Sequence, residues 1–266
     1  MLPFSTYLID LDGVIYRGNE LLPGARDFLS WLQANQKKYL FLTNNSVSGA
    51  SEVLSKLQRL GIPSDASHVL GAGQATVQSI ARRYPGATVY LVGEQPMRDL
   101  LAQHGLHPID DEIDSDPGRA AIVLVGLDRT FDYTKLTRAI LAIHAGARFI
   151  AINRDALLPV ANGIVPGCGT MVAAIEAGVG IAPEVVGKPE PGLFHEAMRL
   201  LGSQPDETVM IGDVLAVDIK GGQAAGVHTL LVLSGNSSRA DLEQSPIKPE
   251  YMYQDIAEVV KELKKM

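Results

Sequence analysis

Four short stretches of this chain combine residue types that can do chemistry. Near the N-terminus, Tyr7-Leu8-Ile9 runs into Asp10, Leu11 intervenes, and Asp12 and Gly13 follow. The apolar run Tyr39-Leu40-Phe41-Leu42 discharges into Thr43-Asn44-Asn45. Lys188 stands between Gly187 and Pro189, and Val209-Met210-Ile211-Gly212 ends in Asp213, with Asp218 five residues later. Residues two apart on a strand share a face, so Asp10 and Asp12 are expected side by side at a strand end, where Gly13 permits a sharp turn. Two carboxylates so close repel unless a cation or a shared proton compensates. Brought together, the four stretches supply several carboxylates, a hydroxyl and an ammonium. Clustered hard oxygens with room for water and a phosphate describe a Mg²⁺ site. Lys188 and the Thr43-Asn44 donors offer charge and hydrogen bonds to a bound phosphoryl group. In such a setting one carboxylate can attack phosphorus, and a second acid can protonate the leaving alcohol and later deprotonate water.

Each stretch also has a plainer reading. The acids could be polar strand ends, Lys188 a surface lysine at a turn, Asn45 a cap for the next helix, and Asp218 a cap for a helix at Ile219. The elements around them weigh against coincidence. Apolar residues at helical spacing (Ala25, Phe28, Leu29, Leu32) predict a helix over Gly24–Asn35, between the first two strands. A helix over Ser48–Leu60 follows, with Gly61 as its C-cap, then one over Gly73–Tyr84. Strand and helix in alternation predict a parallel sheet covered by helices, in which ligands bind beyond the carboxyl ends of the strands. All four stretches lie at such ends.

The alternation restarts in the middle of the chain. Strands over Val89–Val92, Ala121–Leu127 and Arg148–Ile152 alternate with helices over Pro96–Gly105, Tyr133–Ala145 and Thr170–Ala177, with an acidic loop at Asp110–Asp116 and a Gly- and Pro-rich loop from Asn153 to Gly169. Helices over Gly192–Leu201, Ile219–Ala225 and Asp255–Lys265 and strands over Thr208–Gly212 and Thr229–Leu233 complete the chain. The expected organisation is an α/β core made of residues 1–75 and 184–266, with a second α/β domain, 76–183, inserted between its halves.

At 266 residues, 46% hydrophobic and 20% charged, the chain can build a proper core. A formal net charge of −7 argues against a nucleic-acid or anionic-membrane partner, which would want a basic face. Its longest clean apolar run, Ala120–Leu127, is far short of the ~20 residues a membrane helix needs. With no signal peptide apparent and a single cysteine, the expected location is the cytoplasm. Gly167-Cys168-Gly169 reads as a tight turn with a small buried thiol, and the six histidines do not cluster at ligand spacing.

Asp10-Leu11-Asp12-Gly13-Val14, Thr43-Asn44-Asn45, Gly187-Lys188-Pro189 and Gly212-Asp213 with Asp218 resemble, in order and spacing, the four motifs of the haloacid dehalogenase superfamily. With a large α/β insert between the second and third motifs, the chain is similar to the NagD-like, p-nitrophenyl-phosphatase branch, and the resemblance covers essentially its whole length. It implies a Rossmann-like core with an inserted cap that closes over the site and selects the leaving group. It further implies that Asp10 is the nucleophile and that Asp12 is the general acid/base, lending its backbone carbonyl to Mg²⁺. Thr43 and Lys188 would hold the phosphoryl group, Asp10 and Asp213 would be carboxylate ligands to Mg²⁺, and Asp218 would orient Lys188 or a metal-bound water. In the cap, Asn153-Arg154-Asp155 stands where relatives often show Asn-Pro-Asp, so Asn153 and Arg154 are candidate substrate contacts. Val217 precedes Asp218 where relatives commonly carry Thr or Ser, so one hydroxyl is absent.

The expected activity is therefore Mg²⁺-dependent hydrolysis of small phosphate monoesters through a phosphoaspartyl intermediate. Candidate substrates are nucleoside monophosphates, sugar or glycerol phosphates, phosphoglycolate and p-nitrophenyl phosphate. The rival readings are a signalling module that accepts phosphate on Asp and a non-catalytic scaffold that binds phosphate ligands. Receiver-type modules are much shorter and have no cap, and Asp12 as a ready acid argues against a long-lived phosphoaspartate. A cap edge strand could also pair two copies into a homodimer.

Overall fold

The computed structural model describes residues 4–44, 50–109, 117–160 and 163–265. Asn45, expected to cap a helix, and the acidic loop Asp110–Asp116 lie outside them. The chain divides into two units: one runs through Thr43, resumes over Ala50–Leu70 and returns from Lys188 onward, and the other comprises Gly71–Gly187 together with Asn44.

The first unit is built on a six-stranded sheet in the order Tyr251–Tyr253, His228–Val232, Thr208–Gly212, Thr6–Ile9, Lys38–Thr43, Val69–Gly71. Thr6–Ile9 is buried on both faces, which is why it reads as an unbroken apolar run rather than an alternation. It pairs in parallel with Lys38–Thr43 on one side and Thr208–Gly212 on the other, placing Ile9 opposite both Phe41 and Ile211. The chain leaves this strand toward one edge of the sheet and returns much later on the opposite side. The gap between Thr6–Ile9 and Thr208–Gly212 is thus a topological switch point, where crevices form in open α/β sheets.

Helices cover the sheet as their patterns predict. Ala25–Ala34 buries Ala25, Phe28, Leu29 and Leu32, and Phe28 and Trp31 meet the Tyr7 ring edge-on with centroids 5.9 and 6.2 Å away. The last helix, Ile256–Leu263, buries Ile256, Val259, Val260 and Leu263 and is capped by Asp255, whose side chain accepts from the Glu258 N–H.

The second unit carries a five-stranded parallel sheet in the order Glu184–Val185, Arg148–Ala151, Ile122–Val125, Thr88–Val92, His107–Pro108. Four local expectations are corrected. The Gly- and Pro-rich segment before Gly169 contains an antiparallel hairpin, Leu157–Val160 with Gly163–Pro166. Its prolines and glycine mask the strand signal, and its second strand is exposed. Tyr251–Tyr253 adds an edge strand that three residues are too few to announce. The helix expected from Ile219 begins instead as a π-turn over Leu215–Ile219 that runs into Lys220–Ala224. Finally, the helix expected from Thr170 starts at Cys168, with Gly167 as N-cap. Among the described residues, no helix is long and apolar enough to cross a membrane.

Candidate active site

Asp10 is the first residue past the central strand, and its N–H donates to Ile211 O at 2.9 Å, tying it to both strands at the switch point. Asp213 occupies the same place past Thr208–Gly212. With Asp218 they form a trio in which one carboxylate oxygen from each lies within 4.8 Å of the others. Lys188, only 3% exposed, places Nζ 2.5 Å from Asp10 Oδ1 and 2.7 Å from Asp218 Oδ1.

Three carboxylates against one ammonium leave this cluster short of positive charge. Burial and the neighbouring Asp218 and Asp213 push the Asp10 carboxyl up to about 7, although Lys188 pulls it the other way. Burial likewise lifts Asp213 to about 6, with Asp218 adding to the rise and Asn236 opposing it. Burial disfavours the charge on Lys188, but Asp10 and Asp218 outweigh that, so its proton is held more tightly than in water.

Asp12 lies in a more exposed setting than Asp10. The strand stops at Ile9, and the chain folds into a turn in which Ile15 N–H donates to Leu11 O and Gly13 N–H to Tyr16 O, with Gly13 at φ +82°. Strand alternation no longer applies beyond Ile9, so it does not set where the Asp12 side chain points. The Asp12 side chain is 63% exposed, against 16% for Asp10. It stands outside the trio, 3.9 Å from Lys56 Nζ. A Cβ on Gly13 would come within 2.5 Å of Asp213 Oδ2, so glycine is required here for space as well as for the turn.

Asp213 is held by the segment after the His228–Val232 strand. Its Oδ2 accepts from Asn236 N–H at 2.6 Å and Asn236 Nδ2 at 2.9 Å, and its backbone oxygen accepts from Ser237 N–H. Gly235 passes so close to the carboxylate that any side chain there would collide with it. Ser234 Oγ donates to Gly13 O at 2.7 Å, joining this segment to the turn after Asp10. Sequence reasoning missed Asn236, although Ser234-Gly235-Asn236 is a polar strand end of the kind that marked the other motifs. It also missed Lys56, which has no such signal. Asp218 does not cap the following helix, whose N-cap is Ile219. Its Oδ2 instead accepts from Val214 N–H, closing the π-turn and aiming Oδ1 at Lys188.

Thr43 ends the strand beside Thr6–Ile9 and is half-buried. The other candidates are linked within the second unit. Asn153 Nδ2 donates to Asn44 O at 2.7 Å, Asn44 Nδ2 lies 3.2 Å from Asp155 Oδ2, and Asp155 N–H donates to Asn153 Oδ1. Arg154 is paired with Glu176 at 2.8 Å. Cys168 is buried, its thiol is pushed up to about 12 by burial, and Sγ lies 3.6 Å from Val125 O, the surroundings of a packing residue rather than a nucleophile.

Two members of the trio, Asp10 and Asp213, fit a divalent cation, while both Asp218 oxygens are taken by Lys188 and Val214 N–H. The donors of Asp10 and Asp213 are hard oxygens, and burial without enough neighbouring positive charge disfavours the ionised form of both carboxyls, which a bound cation would favour.

Comparison with known proteins gives the chain's family. The profile of the haloacid dehalogenase-like hydrolases matches residues 7–107, and that of a HAD-hydrolase-like family matches residues 185–259. An acid sugar phosphatase from Staphylococcus saprophyticus is 37% identical over 262 residues, covering 98% of this chain and 99% of its own. The p-nitrophenyl phosphatase from Archaeoglobus fulgidus has a similar structure, with TM-score 0.88, 31% identity, and coverage of 97% and 99% of the two chains. The 4-nitrophenylphosphatase from Thermotoga maritima superposes with TM-score 0.87 at 31% identity, covering 97% of each chain.

Proposed function

The chain belongs to the haloacid dehalogenase-like hydrolases and is a phosphatase of their NagD-like branch, and from that premise we propose that it hydrolyses small phosphate monoesters, sugar phosphates foremost, in a Mg²⁺-dependent reaction through a phosphoaspartate on Asp10. The observation that carries this reading is the Asp10 carboxylate at the switch point, bound to a buried lysine and grouped with Asp213 and Asp218. The named relatives supply the substrate class: acid sugar phosphatases and enzymes acting on p-nitrophenyl phosphate.

In this reading Asp10, Asp213 and the Asp12 backbone carbonyl hold Mg²⁺. Both Asn236 bonds to Asp213 fall on Oδ2, which leaves Oδ1 as the oxygen for the cation. Asp218 has both oxygens engaged, by Lys188 and by Val214 N–H, so it acts by fixing the lysine. When bound, the cation supplies the positive charge the cluster lacks and draws off the negative charge of the phosphoryl oxygens.

Lys188 and Thr43 orient the phosphoryl group. An Asp10 oxygen bonds to phosphorus while the ester P–O bond breaks, and Asp12 gives its proton to the departing oxygen. In the second step Asp12 takes a proton from water, whose oxygen attacks phosphorus and releases inorganic phosphate and free Asp10. The Gly71–Gly187 unit is the cap in this scheme, and Asn44, Asn153 and Arg154 are the candidates there for reading the rest of the substrate.

The test is phosphate release from a panel of sugar phosphates, glycerol phosphate, nucleoside monophosphates, phosphoglycolate and p-nitrophenyl phosphate, with Mg²⁺ and with chelator, for wild type and Asp10→Asn. The expected result is Mg²⁺-dependent turnover that is absent in the variant. Turnover that survives Asp10→Asn would refute the mechanism, and a folded protein inactive on every ester would refute the activity.

A further inference from the structure

Lys56 lies on the helix Ala50–Arg59, outside the four motifs, yet its ammonium reaches the turn that carries Asp12. Its Nζ is 3.9 Å from Asp12 Oδ2 and 3.7 Å from the centroid of the Tyr16 ring. A lysine on a helix surface ordinarily leaves its head group in water and samples many rotamers. This one is three-quarters buried, with its charge over an aromatic face, an arrangement that restricts where the ammonium can be. Tyr16 is itself fixed. It is buried, its carbonyl accepts from Gly13 N–H at 2.7 Å, and it pairs with Leu21 in the small hairpin formed by Tyr16–Arg17 and Glu20–Leu21.

Asp12 lacks comparable support. Its carboxylate is largely exposed, and among the described residues Lys56 provides its one salt bridge. At 3.9 Å this is an ion pair rather than a hydrogen bond, so it biases the side chain's direction without occupying a carboxyl oxygen. We propose that Lys56 is a positioning residue for Asp12: its ammonium, fixed over Tyr16, holds the Asp12 carboxyl in the orientation from which it exchanges a proton with the leaving group. The inference rests on the acid/base reading of Asp12 given above.

The chemistry makes this separable from a packing role. As Asp10 Oδ bonds to phosphorus, the electron pair of the breaking P–O ester bond passes to the departing oxygen. An alkoxide must take the Asp12 proton to leave as the alcohol, whereas p-nitrophenolate leaves readily as the anion. Misplacing Asp12 should therefore slow the first step, phosphoryl transfer to Asp10, far more for alkyl esters than for p-nitrophenyl phosphate, while loss of packing should slow that step alike for both; the second step needs Asp12 whichever ester was cleaved.

The experiment measures, at saturating Mg²⁺ and with enzyme in excess over ester, the single-turnover rate of alcohol release from glycerol phosphate and of p-nitrophenol release from p-nitrophenyl phosphate, together with KM, for wild type, Lys56→Met, Lys56→Gln, Lys56→Arg and Asp12→Asn, with melting temperatures recorded for each. For Lys56→Met and Lys56→Gln, the single-turnover rate is expected to fall about tenfold on glycerol phosphate and about twofold on the aryl ester, with KM little changed. Lys56→Arg should recover most of the alkyl-ester rate. Asp12→Asn should show the same bias between esters, more strongly. Equal losses on both esters, no loss on either, or Arg behaving like Met would overturn the proposal. If Asp12→Asn shows the bias and the Lys56 variants do not, only the role of Lys56 fails. If Asp12→Asn shows none, the acid/base reading falls and the Lys56 proposal with it.

Discussion

Asp10→Asn should stabilise the metal-free protein at pH 8 while abolishing turnover. Folding moves the Asp10 carboxyl from 3.8 to about 7, chiefly through burial, with Lys188 opposing and Asp218 and Asp213 adding to the rise. Between those two values the folded state keeps a proton that the unfolded chain has lost. Asp10's favourable contribution is therefore complete below about pH 4 and is lost as pH rises through about 7. At about 1.4 kcal/mol per pH unit of separation, holding Asp10 ionised in the fold costs about 4 kcal/mol at pH 8 without a cation. Asn is neutral and close in shape, so it escapes that cost, and Lys188 keeps Asp218 as a partner at 2.7 Å. The expected gain for a chain of this size is on the order of 10 °C in Tm, measured by thermal melts in chelator. It should shrink as the pH is lowered toward 5, and Mg²⁺ should raise the Tm of the wild type at pH 8. An Asp10→Asn protein that melts at or below the wild type in chelator at pH 8 would refute the charge argument.

Two further outcomes follow from the same cluster. Lys188→Met leaves Asp10 and Asp218 buried without their cation and should cost about 3 kcal/mol at pH 8, with less loss near pH 5 as Asp10 takes up a proton, read by denaturant melts in chelator. Asn236→Ala removes one of two bonds to Asp213 Oδ2 and should raise the Mg²⁺ concentration for half-maximal activity about tenfold, with kcat at saturating Mg²⁺ close to wild type; an unchanged Mg²⁺ dependence would show that the backbone N–H alone holds Asp213.

The residues at the ends of buried parallel strands were legible in the sequence because such strands read as short apolar runs, and a polar residue at the end of one stands out. Asp10, Thr43 and Asp213 were found in that way, and Lys188 through its place between Gly187 and Pro189. The alternating elements gave the sheet its class for the same reason: each run of period 3.6 or unbroken apolarity reports burial that the local chain already encodes. The position of the Asp12 side chain was not legible. Alternation holds only while a strand has a partner, and the turn after Ile9 is set by hydrogen bonds among Leu11, Gly13, Ile15 and Tyr16. The hairpin Leu157–Pro166 was hidden by its prolines and glycine, and the π-turn that aims Asp218 at Lys188 has no periodic signature. Lys56 lies 44 residues from Asp12 in the chain, and Asn236 is 23 residues from Asp213. Which residues can do chemistry was written in local composition. Which of them share one charge balance was decided by the parallel register of Thr6–Ile9 with its two neighbours, because only the folded sheet brings residues so far apart in sequence within reach of one another.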